Sequence, residues 1–227
     1  RAAEAGKHVL CEKPIALTVA EAKRLLEVRN RTGVKMQEAF MVRTHPQWLA
    51  AREMTRTGRI GAVRSIMGYF SYFNDDPSNI RNVASFGGGG LMDVGCYLVS
   101  TSRFILGREP ARVIGLVDRD PALTIDRMTT MMLDYGDVHV AGTCGTQIVP
   151  YQRIQLMGTQ GRIEIEIVAR DHQDFVGPER EVVSGSAIRL GLGLVDAQHL
   201  AGDDGIPDDI VAARHVDDQR QRQDRKG

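Results

Sequence analysis

Three stretches carry residue types suited to moving a proton or holding an anion: Glu12-Lys13-Pro14, Arg43 with His45, and Asp93 with Tyr97. Lys13 ends a short apolar run, and the proline behind it disfavours the helical region for Lys13 while fixing its own φ. At the carboxyl end of a parallel strand such a lysine faces the crevice where α/β sheets take their ligands. The same triplet also suits a solvated lysine beside a turn. Asp93 and Tyr97 lie four apart in LMDVGCYLVSTSRFIL, so a helix puts them on one face. Asp93 falls in the first turn, where the helix dipole favours a carboxylate. A tyrosine titrates near pH 10, about three units above neutrality, and accepts a proton usefully only beside a cation. Lys13 is the natural cation. A plain first-turn acid and a half-buried tyrosine are the structural alternative. Arg43 and His45 lie between a strand end and a helix start. Arg43 suits a phosphate or a hydroxyl-rich ligand; His45 either faces the same crevice or is an ordinary polar residue opening the helix.

The elements that must position these groups are legible in pattern. HVLCEK reads as a short buried strand. Thr18 with Glu21 forms a capping-box pair for a helix that Gly33 ends, and residues 34–40 read as a second strand. Strand, helix, strand is the closing unit of a parallel α/β sheet. Pro46 suits the first turn of a helix stopped near Gly58. Residues 62–73 read as a strand, and a polar loop leads to the glycine run Gly87–Gly90, which lets backbone approach a ligand or a neighbour closely. Residues 91–106 form a helix ended by Gly107. Strands then follow in ARVIGLV, DRMTTMMLDY, VHVAGTCGTQI, RIQLM and RIEIEI. Gly136-Asp137 and GTQG mark hairpins. Ile163, Ile165 and Ile167 alternate with Glu164 and Glu166, which predicts one wet face. Met128, Thr130 and Met132 alternate with Thr129, Met131 and Leu133, which predicts two covered faces.

The fold class expected is an α/β remnant, the last unit of a parallel sheet, followed by an α+β domain with a mostly antiparallel open sheet. The domains are 1–40, 41–167 and an atypical tail, 168–227, whose composition predicts weak structure or disorder. The chain has 227 residues, 42% hydrophobic and 26% charged, with zero formal net charge, which argues against nucleic acid or an anionic membrane as partner. No apolar run approaches the roughly 20 residues that span a bilayer. Cys11, Cys96 and Cys144 have no metal-like spacing and read as reduced thiols of a cytoplasmic protein. The chain opens on Arg1 and its first methionine is Met36, so a fragment of a longer product is expected.

Taken together and in order, EKP (12–14), EAFM with Arg43 and HPQW (38–48), and DPSNIRN before GGGGLMDVGCY (76–97) resemble the Gfo/Idh/MocA family of oxidoreductases. Tyrosine four residues after the aspartate is similar to the branch with glucose–fructose oxidoreductase, NADP-dependent xylose dehydrogenase and dihydrodiol dehydrogenase. The resemblance implies a Rossmann domain for NADP or NAD and a second domain for substrate contacts and homo-oligomer formation through its sheet face. It implies that Lys13, Tyr97 and Asp93 are catalytic. Glu12, Lys13, Pro14 and Arg43 would lie at the cofactor, and Asp93, Tyr97, Arg43 and His45 at a sugar or polyol substrate. There are departures. No GxGxxG precedes Lys13, so the resemblance places the phosphate loop outside this chain and leaves its activity open. Val42 stands where such relatives commonly have tyrosine. The composition after Ile167 is compatible with a frameshift. The reading is a truncated NAD(P)-dependent sugar or polyol oxidoreductase; the alternative is an inactive remnant serving as an oligomerisation partner or sugar-binding module.

Overall fold

The computed structural model describes residues 1–167 and the strand segments 182–184, 187–191 and 210–213. The chain divides into two compact units, Arg1–Phe40 with Val195–Gly227, and Met41–Leu194.

In the first unit, Gly6 closes a short turn in the left-handed region, with φ 77°. Strand β1 (His8–Cys11) leads to helix α1 (Val19–Thr32) and strand β2 (Met36–Glu38). The capping box forms as expected: the Thr18 hydroxyl accepts from the Glu21 N–H at 3.2 Å, and Glu21 Oε2 accepts from the Thr18 N–H at 3.0 Å. Gly33, at φ 71°, caps the other end. β1 pairs in parallel with β2 and with a strand at Ile210–Ala213. The expected burial of β1 is not seen: Leu10 is 39% exposed, and α1 buries no residue completely. The second strand is also shorter than 34–40, because the Phe40 N–H turns back onto Glu38 O.

The second unit opens with a turn at Met41–Arg43 and helix α2 (Pro46–Arg56), with Pro46 in its first turn. Strand β3 (Val63–Phe73) follows, then helix α3 (Cys96–Leu106), then β4 (Arg112–Arg119), β5 (Asp126–Asp134), β6 (His139–Gly145), β7 (Gln147–Gly158) and β8 (Arg162–Ile167). The sheet order is β4-β5-β6-β3-β7-β8, continued by the strands at Ala187–Gly191 and Val182–Ser184. It is mostly antiparallel; β3 with β6, and β8 with 187–191, are the parallel pairs. Both predicted hairpins form, with Tyr135 N–H to Val138 O at 3.0 Å and Gly158 N–H to Gly161 O at 2.8 Å. The stretch 138–148 is not one strand. It breaks at buried Thr146, whose N–H goes to Arg127 O and whose carbonyl accepts from the Asn74 N–H.

One sheet face forms the core. Ile66, Val140, Leu156 and Ile163 are each 0% exposed there, and each such side chain stabilises by about 1.5–3 kcal/mol. Leu98 of α3 reaches the backbone of this face: a Cβ on Gly68 would lie 2.6 Å from Leu98 Cδ1. On the opposite face Met67 is 53% and Met132 47% exposed, while Thr129, Met131 and Leu133 are buried. β5 therefore has one covered face within this chain, not two. The wet face expected of β8 also needs correction. Glu164 is only 4% exposed, because Arg153, Arg162 and Gln155 surround its carboxylate at 2.8–3.1 Å. Burial alone would raise its pKa, but the Arg162 hydrogen bond and both guanidinium charges outweigh it and hold Glu164 below the ordinary range. Of the tail expected to be weakly structured, three strands are described; the rest of 168–227 lies outside the described residues.

Candidate active site

The glycine run is a packing device. A Cβ on Gly88 would lie 2.5 Å from Arg81 O; on Gly89, already at φ 121°, it would lie 2.0 Å from Asp126 Oδ1. The run thus lies against Asp126, whose Oδ2 accepts from the Leu91 N–H at 2.6 Å and from the Thr129 hydroxyl at 2.9 Å. The helix expected over 91–106 begins with one wider π turn, Leu91–Gly95, before α3 proper. Such turns recur at functional sites. Asp93 sits in this turn.

Asp93 is the centre of a small polar cluster. Its side chain is 17% exposed, and Arg81 Nε lies 3.5 Å from Oδ2. The Tyr72 hydroxyl donates to the same oxygen at 2.6 Å. Burial, the hydrogen bond to Asp93 and the charge of Asp93 push the Tyr72 hydroxyl well above the ordinary tyrosine range, against the opposing effect of Arg81. Tyr72 therefore stays protonated and acts as a fixed donor, not a base. Arg81 is carried by a loop that buried Asn82 ties together: its side-chain N–H groups donate to Asn74 Oδ1 and Asp76 O, both at 2.8 Å. Tyr97 stands one turn beyond Asp93, its ring stacked on Phe70 with centroids 5.7 Å apart.

The other expected residues divide. His45 is the N-cap of α2; its Nδ1 accepts from the Gln47 N–H at 3.3 Å. Arg43 lies by the carboxyl end of α3. Its guanidinium lies 5.9 Å from the centroid of Phe104, seven residues beyond Tyr97 and so about 10 Å further along α3. The turn at Met41–Arg43 and the attraction of a guanidinium to an aromatic face account for this placement. In the first unit, Lys13 follows the carboxyl end of β1, and its peptide bond to Pro14 is cis. Ala39 N–H donates to Cys11 O at 2.7 Å and Ile15 N–H to Glu38 Oε1 at 2.8 Å, lacing together the carboxyl ends of β1 and β2. Glu12 is exposed beside Lys13, and its Oε2 accepts from the Lys13 N–H at 3.3 Å. Sequence reasoning missed Tyr72, Arg81 and Asp126. Arg81 lies within DPSNIRN, the one local signal; Tyr72 and Asp126 reach the site only through the sheet.

Two family descriptions cover most of this arrangement. Residues 48–164 match the GFO/IDH/MocA C-terminal domain, and residues 1–40 match the oxidoreductase family with an NAD-binding Rossmann fold. The chain belongs to the Gfo/Idh/MocA family. Within the family it is 44% identical over 167 residues to an uncharacterised oxidoreductase of Rhizobium meliloti, covering 73% of this chain and 50% of that protein. It is 35% identical over 167 residues to a D-xylose 1-dehydrogenase (NADP(+)) of Haloferax volcanii, covering 72% and 50%. Among solved structures, an aldose-aldose oxidoreductase of Caulobacter crescentus complexed with glycerol superposes with a TM-score of 0.69 at 28% identity, over 73% of this chain and 51% of that one. A 3-ketoreductase of Actinomadura kijaniata in complex with NADP and TDP-benzene gives 0.65 at 28% identity, over 70% and 50%. The chain spans about half the length of the curated relatives it matches. Among the described residues, no helix is long and apolar enough to cross a membrane, and no group of three or more His, Cys, Asp or Glu is placed to hold a metal.

Proposed function

We propose that this chain carries the substrate half of an NAD(P)-dependent sugar or polyol oxidoreductase. The observation that carries the reading is the Tyr72–Asp93–Arg81 cluster, with Tyr97 one turn away on α3. The residues at the laced carboxyl ends of β1 and β2 suit the nicotinamide end of a dinucleotide: parallel strands open a ligand crevice there, and Glu12, Lys13 and Pro14 sit at its edge. When bound, the cofactor supplies hydride transfer. Tyr97 takes the proton of the substrate hydroxyl, Asp93 orients the substrate, and Lys13 is a further catalytic residue in this reading. Tyr72 and Arg81 keep the Asp93 carboxylate in one rotamer. The relatives that support a sugar substrate are the xylose dehydrogenase and the aldose oxidoreductase.

The test is steady-state kinetics in a preparation that turns over an aldose with NADP or NAD. Tyr97→Phe keeps the stacked ring and removes the proton acceptor, so kcat should fall about 100- to 10,000-fold. Lys13→Met should give a similar loss that does not multiply with it. Asp93→Asn should raise KM more than it lowers kcat. A Tyr97→Phe enzyme with full kcat would remove Tyr97 from the reaction. We also infer a cytoplasmic location, a reading supported by three cysteines that form no disulfide. A homo-oligomer through the open sheet face is supported by exposed Met67, Met128, Met132 and Tyr151. Sedimentation at micromolar concentration should then show a species larger than the monomer.

A further inference from the structure

Four arginines converge at the carboxyl end of α3, away from Asp93. They line a pocket of about 250 Å³ together with Phe104 and Glu109: Arg43 from the opening turn, Arg52 from α2, Arg103 from α3 and Arg108 just beyond it. Carboxylates answer two of them. Glu109 takes Arg103 through both of its oxygens, and Asp137 takes Arg108. Arg43 and Arg52 form no ion pair with a carboxylate among the described residues. Yet both guanidinium groups are drawn to one ring, that of Phe104, at 5.9 and 4.7 Å from its centroid. That ring is only 7% exposed, so it is held by the core.

Two like charges kept close on an immobile support repel one another, and the ring offsets this only in part. Glu53 acts on Arg52 by charge but is bridged to Arg56, so among the described residues Arg43 and Arg52 lack a counter-anion of their own. Arginines also gather at helix ends to offset the negative end of the dipole. That accounts for Arg103 and Arg108, which belong to the end of α3 in sequence. It does not account for Arg43 and Arg52, which two other elements bring to the same ring. Guanidinium forks match pairs of oxygens on a tetrahedral oxyanion, and a dianion gains from both charges at once. We propose that Arg43 and Arg52 form a binding site for a phosphate group, either free phosphate or the phosphoryl group of a small metabolite. The site is independent of the catalytic reading.

Thermal unfolding of this chain at constant ionic strength tests the proposal, titrated with inorganic phosphate, with a hexose phosphate, and with chloride as control. The midpoint should rise saturably with a phosphate compound and not with chloride. A similar response to both phosphates identifies free phosphate as sufficient; saturation by the hexose phosphate alone identifies a phosphorylated metabolite. Arg43→Gln and Arg52→Gln should each weaken the apparent affinity about tenfold, the loss expected for one charge-assisted pair. If either variant fails to fold, Arg52→Lys keeps the charge and removes the planar fork, and affinity should still drop several-fold. The proposal is overturned by no saturable response up to about 20 mM of either phosphate. It is overturned equally by a response that survives unchanged in Arg52→Lys or in the folded Gln variants.

Discussion

The two ends of α3 differ in how charge is met. At the amino end, Asp93 receives the Tyr72 hydroxyl and Arg81, and Asp126 receives the Leu91 N–H and the Thr129 hydroxyl. At the carboxyl end, Arg43 and Arg52 share a ring and have no carboxylate of their own among the described residues. The helix dipole favours both placements, acids first and arginines last. It does not decide which end is complete. Partners do. The amino end is held in one geometry. The carboxyl end is a preorganised charge.

The comparison breaks most readily at Gly89. Gly89→Ala would put a methyl group 2.0 Å from Asp126 Oδ1 at φ 121°, and stability should fall by about 3 kcal/mol or more in urea unfolding. A near-neutral result would show that the amino end is not tightly held. Asp126→Ala comes next. It leaves the Leu91 N–H and the Thr129 hydroxyl without their acceptor, at about 2 kcal/mol by the same measurement. Tyr72→Phe removes one hydrogen bond and should cost about 1 kcal/mol near pH 7.

That last variant has a second, pH-dependent signature. In the unfolded chain Tyr72 ionises near pH 10; folded, it ionises only above that. Its contribution is therefore complete below about pH 10 and is lost as pH rises through the folded value. Unfolding free energy measured from about pH 9 to 11 should decline with pH, and Tyr72→Phe should flatten part of that decline. Some decline should remain. Burial pushes the Cys144 thiol up to about 12 and raises Tyr135 as well, both with the same sign. An alkaline decline unchanged in Tyr72→Phe would mean that the hydroxyl does not bond Asp93 in solution. The smallest effect belongs to the other end. Without added anion, Arg52→Gln should change stability by less than about 0.5 kcal/mol, because lost ring contact is offset by relieved repulsion. A clear destabilisation in phosphate-free buffer would show that Arg52 completes the fold.

Much of the second unit was legible. The Gly136-Asp137 hairpin, the Pro46 helix start and the Gly107 stop follow from chemistry within a few residues, as does the capping box of α1. That Asp93 and Tyr97 lie one turn apart on one helical stretch follows from spacing, which acts locally. The position of Arg43 beside EAFM says nothing about the aromatic ring on another helix over which its guanidinium lies. Glu164 was misread for a similar reason. Alternation with isoleucine predicts a solvated face, but the neighbouring strand supplies Arg153 and Gln155 to enclose the carboxylate.

By itself, then, the sequence determined where elements begin, end and turn, and which face of each strand is apolar, because caps, hairpin turns and side-chain period act within a few residues of the chain. Only the tertiary structure decided that β3 lies in parallel beside β6, that Asp126 reaches Leu91 across 35 positions and that Tyr72 reaches Asp93 across 21. It also decided that Arg43 and Arg52 meet on Phe104. A hydrogen bond or a stacked guanidinium has a reach of a few ångströms, and whether two distant residues come within it depends on how whole elements stack, which no local pattern records.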